Sequence, residues 1–296
     1  ERAYRSVVGC VKFARICASV TQHTENSLHN LDNKLKVVVY TCITGGYDSL
    51  SSSVIVDPRI DYFCFTDRPE TIVSPWKFIP INLPHLNAKD QNRYIKMHPQ
   101  EFFSDYGISV YIDGNIQIIG DMYSIILNAL NAPEDIFLYK HLLRNCVFTE
   151  AAACAHYSHD WIWIIASQMR RYSMEGYPVD NGLFEANVII RKNTAHIRSL
   201  MDMWWGEYCS GAKRDQLSLT VAAWRLDIPL GSLGENDPRF SQRYFKRVNH
   251  PTQRSLKVIV RKYINRSIAS FSTYEKLFSL TSPVDINGYW KKRMKF

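Results

Sequence analysis

The chain has 296 residues, 46% of them apolar and 22% charged, the proportions of an ordinary globular protein. No apolar run approaches the roughly 18–20 residues of a spanning helix, the stretch "WIWIIA" being far too short. The length accommodates one α/β domain with additions, or two small domains. A formal charge of +8 raises the question of an anionic partner, and much of the excess sits late, in "QRYFKRVNH", "VIVRKYINR" and "KKRMKF". Such a basic end suits either a solvated face or contact with a membrane surface or acidic glycan. The seven cysteines include no C-x-x-C pair and no zinc-finger spacing; Cys42, Cys64 and Cys146 read as small buried hydrophobes, which favours a reducing compartment. Because the chain starts at Glu1, a leader, anchor or further domain ahead of it is allowed for.

In chain order, 1–34 read as a helical extension with a polar connector. The first strong strand is "LKVVVYTCI", 35–43, followed by the Gly-containing turn "TGGYDSL". "DYFCFTD", 61–67, is a second strand, "QNRYIKMHPQEFFSDYG" is a helical stretch, and "ISVYID" is a third strand. This alternation predicts a parallel, Rossmann-like α/β sheet. Beyond it come a short strand "IFLYKH", a helix in "SHDWIWIIASQMRRYS", a strand "GLFEANVIIRK", a helix "IRSLMDMWWGEYCSG" and a helix "RDQLSLTVAAWRL". After about residue 235 the pattern loosens. These limits divide the chain into the extension 1–34, a main domain 35–235 and a basic extension 236–296 packing on it. There is no internal repeat and no low-complexity segment.

The stretch "SVYIDGNIQII" poses the chemical question, because Asp113, Gly114 and Asn115 interrupt an otherwise apolar run. Asp-Gly between apolar residues is a hairpin signal. Alternatively, in an extended segment side chains two apart point the same way, so Asp113 and Asn115 can offer oxygens to one divalent cation while Gly114 leaves room for a phosphate.

Read in order, "YTCITGGYD", "YFCFTD", "NRYIKMHPQEFF", "VYIDGNIQI", "GLFEANVIIRK" and "RDQLSL" resemble the successive signatures of GT-A-fold glycosyltransferases. "KHLLRNCVFTEAA" followed by "QMRRYSMEGYP" more specifically resembles a plant and bacterial family of glycosyltransferase-like proteins whose plant members are associated with mucilage and cell-wall polysaccharide. The likeness covers roughly 36–230. It implies a GT-A (Rossmann-like) mixed, mostly parallel sheet flanked by helices, with terminal helical additions.

By that resemblance Asp113 and Asn115 match an acidic D-x-D motif holding Mn²⁺ or Mg²⁺ against a donor diphosphate, with asparagine in place of the second acid and weaker metal affinity expected. His250 falls where a late histidine completes the metal shell in some GT-A families. Arg93 and Lys96, three apart on one helix face, would approach the diphosphate, with Lys89 a weaker companion; a solvated helix face is the alternative. Thr44, Gly45 and Tyr47 lie at a strand's carboxyl end, where open α/β sheets bind ligands, and Asp67 is placed to accept from a base or ribose, or to cap a helix. His141, Arg144 and Glu150 belong to the acceptor side or form an ion-pair network. Glu185 and Asn187 share a strand face at the donor–acceptor junction. Asp215 and Gln216 resemble the Asp-Gln pair of some retaining enzymes, Asp215 also suiting a helix N-cap. His156, His159 and Asp160 lack a recognised zinc spacing and read as exposed helix-start residues.

The resulting expectation is transfer of a sugar from a nucleoside diphosphate, first UDP, to a glycan hydroxyl, with Asp215, then Glu185, as the carboxylate at the reacting carbon and retention favoured. A non-catalytic sugar-nucleotide-binding or scaffold protein is the main competitor. A nucleic-acid binder is disfavoured by the lack of any recognised motif. The corresponding location is the cytoplasm or a membrane periphery for a bacterial chain, or the Golgi lumen for a eukaryotic fragment.

Overall fold

The computed structural model describes residues 36–53, 55–235, 237–248 and 256–270. The expected extension over 1–34, and His250, lie outside the described residues. Nine strands are formed among those described: β1 Val37–Ile43, β2 Ile60–Thr66, β3 Lys77–Pro80, β4 Ile108–Ile112, β5 Ile116–Ile118, β6 Ile136–Lys140, β7 Phe184–Lys192, β8 Gly231–Ser232 and β9 Phe245–Arg247. The α-helices are α1 Ala88–Met97, α2 Pro99–Phe102, α3 Met122–Leu130, α4 Val147–His156, α5 Ile162–Met174, α6 Ala195–Ser210, α7 Leu219–Arg225 and α8 Leu256–Ser270.

Seven strands make one sheet in the order β3-β2-β1-β4-β7-β6-β8. β3, β2, β1 and β4 run parallel, β7 is antiparallel to both its neighbours, and β6 and β8 are parallel. The mixed, mostly parallel α/β sheet expected from the sequence is therefore present. β4 lies at its centre and is buried along its whole length, as expected of a strand covered on both faces. Ile108, Val110 and Ile112 join the core on the α3 side, whereas Tyr111 joins the core beneath α1, α6 and α7. The helices start on side-chain caps: Asn87 accepts from Asp90 N–H, Asp121 from Tyr123 and Ser124 N–H, and Thr194 from Ile197 N–H.

Two local expectations are corrected. β4 and β5 do not form a hairpin. Asp113 N–H donates to Asn187 O at 2.9 Å, prolonging the β4–β7 ladder, and β5 then pairs with β9 in a separate two-stranded sheet. The Asp-Gly turn is real, but the partner strand comes from Phe245–Arg247. "RDQLSLTVAAWRL" is not one helix but a 3₁₀ turn at Asp215–Leu217 followed by α7. The strand β3 and the helices α3 and α4 went unrecognised, β3 because only four residues pair at an exposed edge. Past residue 235 the chain adds β9 and buries Phe245 in the α3-side core. The five cysteines among the described residues are free thiols, four of them buried.

The helical layer is tied together through Glu207 on α6, which accepts from Arg171 Nη1 and Tyr172 Oη of α5, both at 2.8 Å, and from Arg225 Nη1 of α7. Burial raises its pKa, and hydrogen bonds from Arg171, Arg225 and Tyr172 more than reverse this, bringing it down from 4.5 to about 2. A carboxylate lowered on folding contributes stability that is fully present above its unfolded value and is lost as pH falls through the folded one. In urea unfolding, Glu207→Gln is therefore expected to be less stable than the parent by on the order of 3 kcal/mol at neutral pH. That gap should narrow as pH falls from 4.5 toward 2; a gap independent of pH would contradict the assignment.

Candidate active site

The carboxyl ends of β1, β2 and β4 meet the amino-terminal half of β7 at one edge of the sheet. At that edge, Lys96 on α1 points inward. Its side chain is 2% exposed, with Nζ 2.7 Å from Asp215 Oδ2 and 3.5 Å from Asp113 Oδ1. Arg93, one helical turn earlier, brings Nε within 3.2 Å of the same Asp215 oxygen. Spacing of three on α1 thus does place both cations on one face, and the solvated-face alternative fails. Asp113 is the accessible member of the group, its side chain 32% exposed.

Asp215 is buried, and its carboxylate caps no helix, since Arg214 and Ser218 occupy the cap positions of the 3₁₀ turn and α7. Burial raises the Asp215 pKa, but Arg93, Lys96 and Arg214 outweigh it and hold the carboxyl far below its ordinary range. Gln216 is committed to structure: its Oε1 accepts from Arg214 Nη2 at 2.9 Å and its Nε2 donates to Phe184 O at 3.2 Å.

β7 adds the other wall. Asn187 stands opposite Asp113 in the ladder, and its Nδ2 donates to Glu185 Oε2 at 3.4 Å, so the shared strand face expected of Glu185 and Asn187 is present. Asn187 Oδ1 is buried and meets no hydrogen-bond donor among the described residues. Glu185 also pairs with Arg239 Nη2 at 3.1 Å. Arg239 is carried by a loop wound around the buried Asp237 carboxylate, which accepts from the N–H groups of Arg243, Tyr244 and Phe245.

The first turn is organised around Asp67. Its Oδ2 accepts from Gly45 N–H at 2.8 Å, so it holds the turn and does not cap a helix. Gly45 and Gly46 both have φ near +63°, the left-handed region that glycine enters without steric cost. Thr44 Oγ1 donates to Ala88 O at 2.7 Å, anchoring the start of α1, and Tyr47 is well exposed.

Two geometric expectations about the 113–115 break change. The backbone is not extended through it: it turns at Gly114–Asn115, with Ile116 N–H donating to Asp113 O, and Asn115 is buried. The absent side chain of Gly114 makes room not for a phosphate but for Ile43, since a Cβ there would fall 2.7 Å from Ile43 Cγ1.

His141, Arg144 and Glu150 do come together. Arg144 Nε donates to Glu150 Oε2 at 2.5 Å, and His141 Nε2 lies 3.7 Å from that oxygen. Glu150 is buried, so the set forms an ion-pair network, and burial brings the His141 pKa down to about 4. Arg214 acts electrostatically on both Asp215 and Glu150, linking this cluster to the Asp215 cluster. Lys89 stays exposed on α1. Asp160 is buried rather than an exposed helix-start residue, accepting from Trp161 and Lys213 N–H. Among the described residues no three His, Cys, Asp or Glu side chains form a metal-binding group.

Sequence reasoning missed Arg214 and Arg239. Arg214 adjoins the Asp-Gln pair and carried that signal; Arg239 lies in a segment without periodicity.

A mostly parallel mixed sheet with an antiparallel β7, and a cluster of buried charges at the parallel strands' carboxyl ends, define a Rossmann-like fold of the GT-A kind. The chain belongs to the family described as TOD1/MUCI70, glycosyltransferase-like domain, whose family model matches residues 65–250. This is the mucilage-linked glycosyltransferase-like family that the motifs resembled. No curated protein matches the chain.

Removing the Asp215 charge strands Lys96 and Arg93 in a buried site. Asp215→Asn is therefore expected to lower unfolding stability by about 3–5 kcal/mol. Adding Lys96→Met should recover part of the loss in urea titrations; a single variant of unchanged stability would show the pairing to be unimportant.

Proposed function

We propose that the chain transfers a sugar from a nucleoside diphosphate, UDP being the first to test, to a glycan hydroxyl at the edge formed by β1, β4 and β7. The observation that carries this is the Lys96 ammonium held between Asp215 and the accessible Asp113 at the end of β4. Cleavage of the sugar–phosphate bond builds negative charge on the departing diphosphate, and preoriented cations in a water-poor site stabilise such charge without reorganising. Lys96 and Arg93 supply those cations, and Asp215 fixes their positions. The Gly45–Gly46 turn and Tyr47 lie at the neighbouring strand end, where an exposed ring suits stacking on a nucleotide base.

The donor set also fits a hard divalent ion. Asp113 is accessible, with one oxygen beyond its Lys96 contact, and the Asn187 Oδ1 opposite is a buried oxygen lacking a donor. Asp113 and Asn187 would hold it; the resemblance suggests Asn115 and His250 as further ligands, of which Asn115 is buried in the turn and His250 lies outside the described residues. When bound, Mn²⁺ or Mg²⁺ supplies further neutralisation of the diphosphate. The nearby Lys96 charge lowers affinity for such an ion.

Asp215 is poorly suited to accept a proton, because its pairing with Arg93 and Lys96 holds its pKa far below the ordinary carboxylate range. Enclosed with Arg93 and Lys96, it would act on the reacting carbon only through the cations it positions. Glu185, paired with Arg239, is the carboxylate toward the acceptor side. The commitment of Gln216 to Phe184 O leaves it positioning β7 against the Asp215 turn. A second reading, sugar-nucleotide binding without turnover, is favoured by the neutral Asn115 in place of an acid.

A thermal-shift series with UDP-, GDP- and CMP-sugars, with and without Mn²⁺ or Mg²⁺, tests the binding step. The true donor is expected to raise the melting point progressively with concentration, equivalent to about 2.7 kcal/mol at a hundred times its Kd. Donor consumption separates the two readings: Asp113→Ala should reduce kcat/KM by roughly 100-fold or more if the site turns over. Stabilisation without donor consumption would favour the binding protein, and no shift with any nucleotide sugar would overturn both.

A further inference from the structure

Helix α8 is attached through Asn265 and through Ile268, which packs against the core shared by α4 and α5. Asn265 is buried, its Oδ1 accepting from Ile162 N–H at 3.2 Å and its Nδ2 donating to Asp160 O at 2.9 Å. On the far side, Leu256, Ile259, Val260 and Tyr263 are 79%, 51%, 53% and 76% exposed. Their i, i+3, i+4, i+7 spacing puts them on one stripe, and at about 100° per residue Asn265 lies nearly opposite its centre. An apolar stripe thus faces outward on a helix that already packs Ile268 inward. Scattered exposed apolar residues need no explanation, but a continuous stripe does.

Its charge is equally one-sided. The helix contains Lys257, Arg261, Lys262 and Arg266 and no Asp or Glu. Lys262 and Arg266 are exposed beside the stripe. Next to the Asn265 anchor, Tyr157 and Trp163 are 50% and 46% exposed. Rings with a polar edge are the side chains favoured at a membrane's headgroup level. No described helix is long and apolar enough to cross a membrane.

We propose that α8 lies in the plane of a membrane surface bearing anionic lipid headgroups, with Leu256, Ile259, Val260 and Tyr263 in the boundary between headgroups and acyl chains. Apolar burial and attraction of the cations to the lipid act together in such helices. The all-cationic flank favours an anionic lipid surface over a second copy of this chain, which carries the same charge. The inference stands independently of the transfer reaction.

The full chain is mixed with phosphatidylcholine vesicles, with or without about 30 mol% phosphatidylserine, and sedimented at about 0.15 M and 0.5 M salt. Co-sedimentation is expected with the anionic vesicles and should weaken at the higher salt. Ile259→Asp with Tyr263→Asp should cut binding roughly tenfold or more, and Lys262→Glu with Arg266→Glu should also weaken it. Both pairs are exposed, so unchanged circular dichroism and melting points are expected alongside. Equal binding to neutral and anionic vesicles, no binding, or binding that survives both double variants would overturn the proposal. So would a dimer, by light scattering, that the aspartate variant converts to a monomer.

Discussion

Burial of the Lys96 ammonium is the constraint on which the candidate site depends. An ammonium ion withdrawn from water is tolerated only where opposite charge and hydrogen bonds replace its hydration. Asp215 meets that requirement from a segment 119 positions away, and Asp113 adds a second carboxylate. The other end of the residue is equally held: its carbonyl accepts from Tyr40 Oη at 3.1 Å and from Arg191 Nη1 at 2.7 Å. The carbonyls of a helix's last turn have no partners within the helix, and a cation placed there also meets the negative end of its dipole. The buried Arg191 of β7 serves both needs and also donates to Tyr40 Oη. One residue therefore joins α1, β1, β7 and the 3₁₀ turn before α7 at the edge where the parallel strands end.

This arrangement assigns different work to two aspartates that look interchangeable in sequence. Asp215 is enclosed with Arg93 and Lys96, and its charge is consumed in holding them. Asp113 keeps access to solvent at the end of a central strand. A substrate phosphate arriving there would meet cations already positioned by Asp215, with Asp113 as the group that an ion or a sugar hydroxyl can reach. Arrangement in advance of charge development is what makes such groups effective in a transition state.

The large elements were legible because their patterns are long and local. β1, β4 and β7 read as apolar runs, and α5 and α6 as periodic ones. The pairing of Glu185 with Asn187 followed from period two, and that of Arg93 with Lys96 from helical spacing. What stayed hidden depends on contacts distant in sequence. Asp-Gly announced a turn, yet nothing local distinguishes a hairpin from an exit toward β9, more than a hundred residues later. Nor does "NRYIKM" disclose that one of its cations is enclosed, since that requires Asp215. Arg239 reaches Glu185 only because Asp237 gathers the N–H groups of its loop, and no periodicity marks such a loop.

Arg214 extends the same electrostatic logic across the pocket. It precedes Asp215 in sequence, donates to Gln216, and lies within the field of Glu150, whose carboxylate is held by Arg144. The Asp215 cluster and the Glu150 cluster are thus two buried carboxylates, each with its own cation, sharing a third between them. Loss of either carboxylate would leave Arg214 attracted to the other and would displace Gln216, and with it the contact to Phe184 at the start of β7. β7 also carries Glu185 and Asn187, so a chain of contacts runs from Arg214 through Gln216 and Phe184 to the strand that faces Asp113. The His141, Arg144 and Glu150 set thus shares, through Arg214, the electrostatic surroundings of Asp215.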